Sequence, residues 1–262
     1  MWRLLCSPPG SGADNMALDE ALMDRARETG DWILRVYSWS TPTLSLGRNQ
    51  RAQGSYDLDR LRAHGVDVVR RPTGGRAILH HHEVTYSVTA PVATAGDLRE
   101  SYGRINRLLL AGLRNLGVDT KVVARSDAAV PDQDPSSAAG LLPCFHHPSI
   151  GEITFAGRKL VGSAQWRRQD ALLQHGSILI EDDQMQLNFF LTHPSPSVPS
   201  AATLSQALGR APCVAEVAGA LFTAVQTLED SEASTLSVDD ALALRSLALS
   251  AHYLDDRWTW RR

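Results

Sequence analysis

The sequence predicts an α+β (mixed α/β) fold, with a mixed β-sheet core flanked by helices. It is read as one domain over residues 1–262, mainly helical from about residue 201. Three observations predict this. Of the 262 residues, 43% are hydrophobic and 21% charged, enough apolar material for a sizeable core. Segments of period-two alternation and segments of helical periodicity both occur, without the strict strand–helix alternation of a doubly wound sheet. No internal repeat or low-complexity tract interrupts them.

From the N-terminus, Ala17, Leu18, Ala21 and Leu22 at helical spacing predict a helix over residues 15–27, with Asp14 as its cap. Residues 32–37 read as a strand, and residues 38–49, around Pro42 and Gly47, as a turn-rich loop. A short helix over 58–64 ends at Gly65, a C-cap glycine. The apolar run Val66, Val68 and Val69 then enters a glycine turn. Val84, Tyr86 and Val88 alternate with Thr85 and Ser87, the pattern of a half-buried strand. Leu98, Tyr102, Ile105, Leu109, Leu113 and Leu116 mark a long amphipathic helix, capped by Asp97 with Glu100 three residues on and stopped by Gly117. Residues 121–124 read as a strand and 126–142 as a long polar loop. Residues 152–155 and 159–165 form a hairpin through Ala156-Gly157, and 172–180 another strand. After the Pro/Ser-rich residues 193–200 come two helical segments, near 214–228 and 238–252.

Composition also excludes functions. A net charge of -3 gives no broad basic surface for nucleic acid. The start of the chain does not read as a signal peptide, and no apolar run approaches membrane length. Cys6, Cys144 and Cys213 are odd in number and widely spaced, so a disulfide framework is not expected and a cytoplasmic setting is. His80-His81-His82 invites a metal reading, because alternate strand residues share a face. The arrangement matches no zinc motif, so no metal is expected and solvated or turn histidines are preferred.

Three segments concentrate chemistry: residues 70–86, 144–152 and 157–177. Arg70-Arg71-Pro72-Thr73-Gly74-Gly75-Arg76 sets paired glycines among guanidiniums. Such a turn can bring a ligand close to backbone amides, or can simply join two strands with its arginines in solvent. Cys144 follows the polar loop and is preceded by Pro143, a loop context in which a thiol is accessible, whereas Cys6 and Cys213 fit inert, half-buried positions. Lys159 begins a strand of small and apolar residues, where partial desolvation would make it an effective donor to a carbonyl oxygen.

These segments resemble the biotin/lipoate protein ligase superfamily, most closely octanoyltransferases of the LipM type. The resemblance rests on Asn15-Met16-Ala17-Leu18-Asp19-Glu20, on the stretch from Pro42 to Gln50, on Arg70 through Ala77, and on Cys144-Phe145 with Pro148-Ser149. It continues through Gly157-Arg158-Lys159-Leu160-Val161-Gly162-Ser163-Ala164-Gln165 and Leu173-Gln174-His175-Gly176-Ser177 to the C-terminal Tyr253-Leu254-Asp255-Asp256-Arg257-Trp258. It implies a catalytic domain of the biotin/lipoate ligase type with an acyl pocket beside the diglycine turn. It implies Cys144 as acyl-accepting nucleophile and Lys159 as the active-site lysine, with Arg71, Gly74, Gly75, His80, Gly162, Ser163, Ala164, His175 and Gly176 binding substrate. Two positions depart from the family pattern: His81 where an Asp is common, and Ile150 where an aromatic is common.

The activity implied is octanoyl transfer from octanoyl-acyl carrier protein, through a cysteine thioester, to a lysine of a lipoyl carrier domain such as the glycine cleavage H protein or an E2 subunit. No cofactor is expected, because the exchange of one thioester for another needs no ATP. An ATP-dependent lipoate ligase on the same fold is the nearest alternative; Cys144 and the lack of a small accessory domain argue against it. An amidotransferase taking octanoyl from the glycine cleavage H protein shares the cysteine and lysine. A non-catalytic acyl- or metal-binding protein is the alternative from a different class.

Overall fold

The computed structural model describes residues 1–123, 145, 151–194 and 200–262. Cys144, the whole of the predicted polar loop over 126–142 and His146-His147 lie outside the described residues.

Eleven strands and nine helices are described. The strands are β1 (Trp2–Cys6), β2 (Trp32–Tyr37), β3 (Thr43–Leu46), β4 (Asp67–Arg70), β5 (Ile78–His80), β6 (Glu83–Pro91), β7 (Lys121–Val122), β8 (Ile153–Phe155), β9 (Arg158–Arg168), β10 (Ala171–Leu179) and β11 (Ser234–Thr235). The helices are α1 (Gly12–Thr29), α2 (Leu58–Ala63), α3 (Val92–Ala95), α4 (Leu98–Asn115), α5 (Leu187–Phe190), α6 (Leu204–Leu208), α7 (Val214–Leu228), α8 (Asp240–Tyr253) and α9 (Asp256–Thr259). Eight strands form one mixed sheet in the order β11-β1-β2-β6-β10-β9-β8-β7, and three form a second sheet, β4-β3-β5. In the large sheet β1 runs parallel to β2 and β11, whereas β2, β6, β10, β9 and β8 pair antiparallel in turn. This is the mixed α/β architecture expected from the sequence, and none of the described helices is long and apolar enough to cross a membrane.

One face of the large sheet is apolar. Leu34, Val36, Val84, Val88 and Leu172 pack there against Ile105, Leu109 and Leu113 of α4 and Val217 and Leu221 of α7. The opposite face carries α1, and α8 packs on it with Leu242 beside Ala21, Leu22 and Ile33. The second sheet folds over a smaller core of Leu44, Leu46, Tyr56, Leu61 and Leu79.

Several local expectations hold. Asp97 accepts from the amides of Arg99 (2.7 Å) and Glu100 (2.8 Å), while Glu100 accepts from the Asp97 amide (2.9 Å), completing the capping box of α4. The β8–β9 hairpin turns through Ala156 and Gly157, both with positive φ (48° and 75°). Others are corrected. Helix α1 starts at Gly12 and is capped by Ser11, not Asp14, which sits in its first turn. The stretch read as a turn-rich loop contains β3, because Thr43 to Leu46 pair with β4 on one side and β5 on the other. β6 is buried along its whole length, not half-buried, because helix α1 covers its polar face. Cys6 and Cys213 are exposed, not half-buried, Cys213 because it stands at the N-cap of α7.

Candidate active site

A cavity of ≈ 420 Å³, counted out to its mouth, opens where α1, the β3–β5 sheet and the centre of the large sheet meet. Its walls come from Met16 of α1, Tyr37 and Trp39 near the end of β2, Ser45 of β3, Ile78 and His80 of β5, Thr85 of β6, Gly162 to Ala164 of β9 and His175 to Ser177 of β10. Arg71 and Gly75 close it at the diglycine turn. Glycines make the room. A Cβ on Gly176 would lie 2.3 Å from the Gly162 carbonyl oxygen and 2.8 Å from the Tyr86 ring.

The diglycine turn is held from below by arginines that are not solvated. Arg70 is wholly buried and donates to the carbonyls of Gly47 (2.6 Å), Gln50 (2.8 Å) and Thr259 (2.8 Å). Arg71, also buried, donates to the carbonyls of Gly74 (2.9 Å), Arg76 (2.7 Å) and Ser45 (3.0 Å) and to the Ser45 hydroxyl (3.0 Å). The structure thus decides between the two readings of this segment: the guanidiniums shape the turn. Gly47 is required opposite, since a Cβ there would come within 1.9 Å of the Gly75 oxygen, and Gly75 itself has φ +96°.

Two histidines face the cavity, each in contact with a hydroxyl and beside a carboxylate. His175 Nδ1 lies 3.1 Å from Asp19 Oδ2, and its Nε2 lies 2.7 Å from Thr73 Oγ1. An ionised carboxylate can only accept, so Nδ1 carries a proton. Asp19 also accepts from Arg35 Nη1 (2.7 Å), Ser87 Oγ (2.8 Å) and the Tyr37 hydroxyl (3.0 Å). Burial pushes the Asp19 carboxyl up, but Arg35 and His175 outweigh it and hold its pKa below the ordinary value. His80 is the second. Its Nε2 takes the Ser45 hydroxyl at 2.8 Å, its Nδ1 stands 3.4 Å from Glu83 Oε1, and the Trp39 ring stacks on it at 4.0 Å. Burial lowers the His80 pKa, so the ring is neutral at pH 7.

Lys159 joins the cavity through Gly162. It is buried, its Nζ lies 2.5 Å from Glu152 Oε1, and its Cε would be 3.3 Å from a Cβ on Gly162. The ring of Phe145, the residue following Cys144, would be 3.1 Å from that same Cβ, and its centre lies 5.2 Å from Lys159 Nζ. Next to the turn, guanidiniums and indoles alternate: Arg48 lies 5.0 Å from the Trp166 ring and 5.8 Å from that of Trp258, which Arg261 covers at 4.0 Å. Arg48 is fixed to the turn by its amide, which donates to the Thr73 carbonyl (2.7 Å).

The structure thus brings Arg71, Gly75, His80, Gly162, Ser163, Ala164, His175 and Gly176 to one cavity. Gly74 stands beside it, its carbonyl gripped by Arg71. Cys144 lies outside the described residues. Sequence reasoning missed Met16, Tyr37, Trp39, Ser45 and Thr85 in the walls and gave no role to Asp19. One signal was available: Arg35, a charge between Leu34 and Val36 in an apolar strand, requires a buried partner, and Asp19 is that partner.

The family model of the lipoyl protein ligase A/B catalytic domain matches residues 11–226, and the chain belongs to that family. Relatives it matches over its whole length include octanoyltransferases. The octanoyltransferase LipM of Kyrpidia tusciae is 39% identical over 287 residues, covering 100% of this chain and 99% of that protein. The octanoyltransferase LipM of Carboxydothermus hydrogenoformans is 45% identical over 186 residues, 70% of this chain and 66% of that protein. Among solved structures, a bipartite lipoate protein ligase from Thermoplasma acidophilum matches with a TM-score of 0.74 and 22% identity, covering 98% of this chain and 95% of that one. That likeness is one of fold.

Proposed function

We propose that the chain is an acyltransferase that moves an octanoyl group in protein lipoylation, from octanoyl-acyl carrier protein to a lysine of a lipoyl carrier domain, by way of a thioester on Cys144. The observation that carries the reading is the full-length identity with octanoyltransferases, joined to a cavity whose partly apolar walls suit an acyl chain. Each buried methylene of such a chain contributes about 0.8 kcal/mol.

In the first half-reaction the Cys144 thiolate attacks the donor carbonyl. A C–S bond to Cys144 forms, the C–S bond to the donor breaks, and the donor thiolate leaves. In the second, the amine of the carrier lysine attacks, a C–N bond forms, and Cys144 departs as thiolate while the amine loses a proton. The first exchange is nearly isoenergetic and the second runs downhill, so ATP is not required. Phe145 packed against Gly162 and Lys159 supports placing the adjacent Cys144 at this cavity. Glu152 orients the Lys159 ammonium, which can then donate to the thioester oxygen as charge develops there. The turn amides of Gly74 and Gly75 and the walls from Arg71, His80, Ser163, Ala164, His175 and Gly176 position the acyl group. A free thiolate suits a reducing cytoplasm.

Intact-protein mass spectrometry with octanoyl-acyl carrier protein, without ATP, tests this. An octanoyl adduct mapped to Cys144, discharged by a lipoyl domain and absent from Cys144→Ser, is the expected result. Modification of the domain only with free octanoate and ATP would make the chain a ligase. An adduct formed only from octanoylated H protein would reassign the donor.

A further inference from the structure

The histidine run serves more than the cavity. β5 ends at His80, so the alternation that would set His82 beside His80 stops there. His81 and His82 instead turn together to the outside, with ring centres 3.7 Å apart. Both face the buried carboxylate of Asp183: His82 Nδ1 lies 2.9 Å and His81 Nδ1 3.6 Å from Oδ2. One donor atom from each of the three falls within 4.8 Å of the others. Zinc–ligand bonds of about 2.0–2.2 Å place neighbouring donors of a tetrahedral site about 3.3–3.6 Å apart, so only small movements are needed.

The carboxylate is already oriented. Its Oδ2 accepts from the His82 amide (3.0 Å) and its Oδ1 from Gln186 Nε2 (2.9 Å). The neighbouring Gln184 is tied to β5 through both the amide (3.2 Å) and the carbonyl (2.7 Å) of Leu79. Such outer contacts fix ligand geometry and strengthen binding.

We propose that His81, His82 and Asp183 bind a divalent cation of the zinc class, with water completing the coordination, and that the cation braces the β5–β6 turn against the loop after β10. Two imidazoles and one carboxylate suit zinc chemistry. The brace lies on the outside of the segment whose His80 lines the cavity, so its role is to hold that wall and not to take part in acyl transfer. It is built from this chain's own residues, including the His81 that departs from the family pattern.

The test is titration of the tag-free full chain with Co²⁺, read by its visible absorption, followed by displacement with Zn²⁺ and melting with and without Zn²⁺. One equivalent of Co²⁺ with intense four-coordinate bands, displaced by Zn²⁺, together with a raised Tm, is expected. The His81→Ala/His82→Ala double variant, changed only at outward-facing side chains, should bind at least about tenfold more weakly and lose the Tm shift. Cys144→Ser should keep both, which separates this site from a metal-binding thiolate and the outcome from that of the transfer assay. Absence of saturable binding, or wild-type affinity in the double variant, would overturn the proposal.

Discussion

Strand β6 carries two chemistries on one backbone. Val84, Tyr86, Val88 and Ala90 meet the apolar faces of α4 and α7. Glu83, Thr85, Ser87 and Thr89 are just as buried, but they face a polar layer that includes Asp19, Trp39 and His80. On the first face stability comes from removing carbon from water, in small and replaceable increments. On the second, Glu83, Thr85 and Ser87 depend on particular partners, because a buried charge or hydroxyl without one costs free energy. The two faces should therefore fail differently: damage to the first lowers stability and spares chemistry, while damage to the second lowers both.

Asp19→Asn is the strongest test. Asp19 accepts from Arg35, Tyr37, Ser87 and His175, so the substitution leaves a guanidinium buried without its carboxylate and His175 without its anchor. A loss of about 3–5 kcal/mol is expected in denaturant unfolding, with octanoyl transfer falling further than stability explains. The pH dependence has a definite sign. The folded pKa of Asp19 lies below its unfolded value of about 3.9, so its contribution is full above that pH and lost as pH falls through the folded value. The variant should show a shallower loss of stability as pH falls below about 3.9. Equal acid slopes would remove Asp19 from its central place on the polar face.

Leu109→Ala supplies the contrast. Leu109 is fully buried in α4 against the apolar face, and truncation should cost about 2–5 kcal/mol. At a temperature where the variant remains folded, kcat/KM for octanoyl transfer should match wild type. A large kinetic defect would show that the two faces are not separable.

The same comparison explains what the sequence made legible. Helix α4 was readable because its apolar spacing, its capping box and its glycine stop all agree. The β8–β9 hairpin was readable from Ala156-Gly157. The polar face of β6 was misread because period-two alternation reports which residues are polar, not whether water or protein covers them. β3 was missed because Pro42 and Gly47 flank only four residues, whose strand character comes from pairing with β4 and β5. In the site, the diglycine turn, Lys159 and His175 were found through motifs. Tyr37 and Trp39, Ser45, and Thr85 come from three separate places in the chain, and only folding brings them together.

Gly162→Ala tests the polar side from within the cavity. The added Cβ would meet the Phe145 ring at 3.1 Å and Lys159 Cε at 3.3 Å, so the lysine and the chain beside Cys144 must give way. Stability should change little, while kcat/KM for octanoyl transfer falls about tenfold, equivalent to about 1.4 kcal/mol. A variant with unchanged kinetics would take Lys159 and Phe145 out of the reacting region.

Tyr86→Phe is the smallest and probes the boundary between the faces. Its ring belongs to the apolar core, but its hydroxyl lies 2.7 Å from Ser163 Oγ and accepts from Gln174 Nε2 at 2.8 Å. Ser163 lines the cavity, so the phenol connects the packed side to the reacting side. Gln174 keeps a second acceptor in Asn106 Oδ1 at 3.3 Å and is not orphaned by the change. The expected cost is therefore about 1 kcal/mol, measured by denaturant unfolding. If the faces are separate, KM and kcat stay within about twofold, a barrier change of less than about 0.5 kcal/mol. A fall in kcat without a matching loss of stability would mean that Ser163 needs the phenol to hold its position, and that the functional layer extends through the sheet.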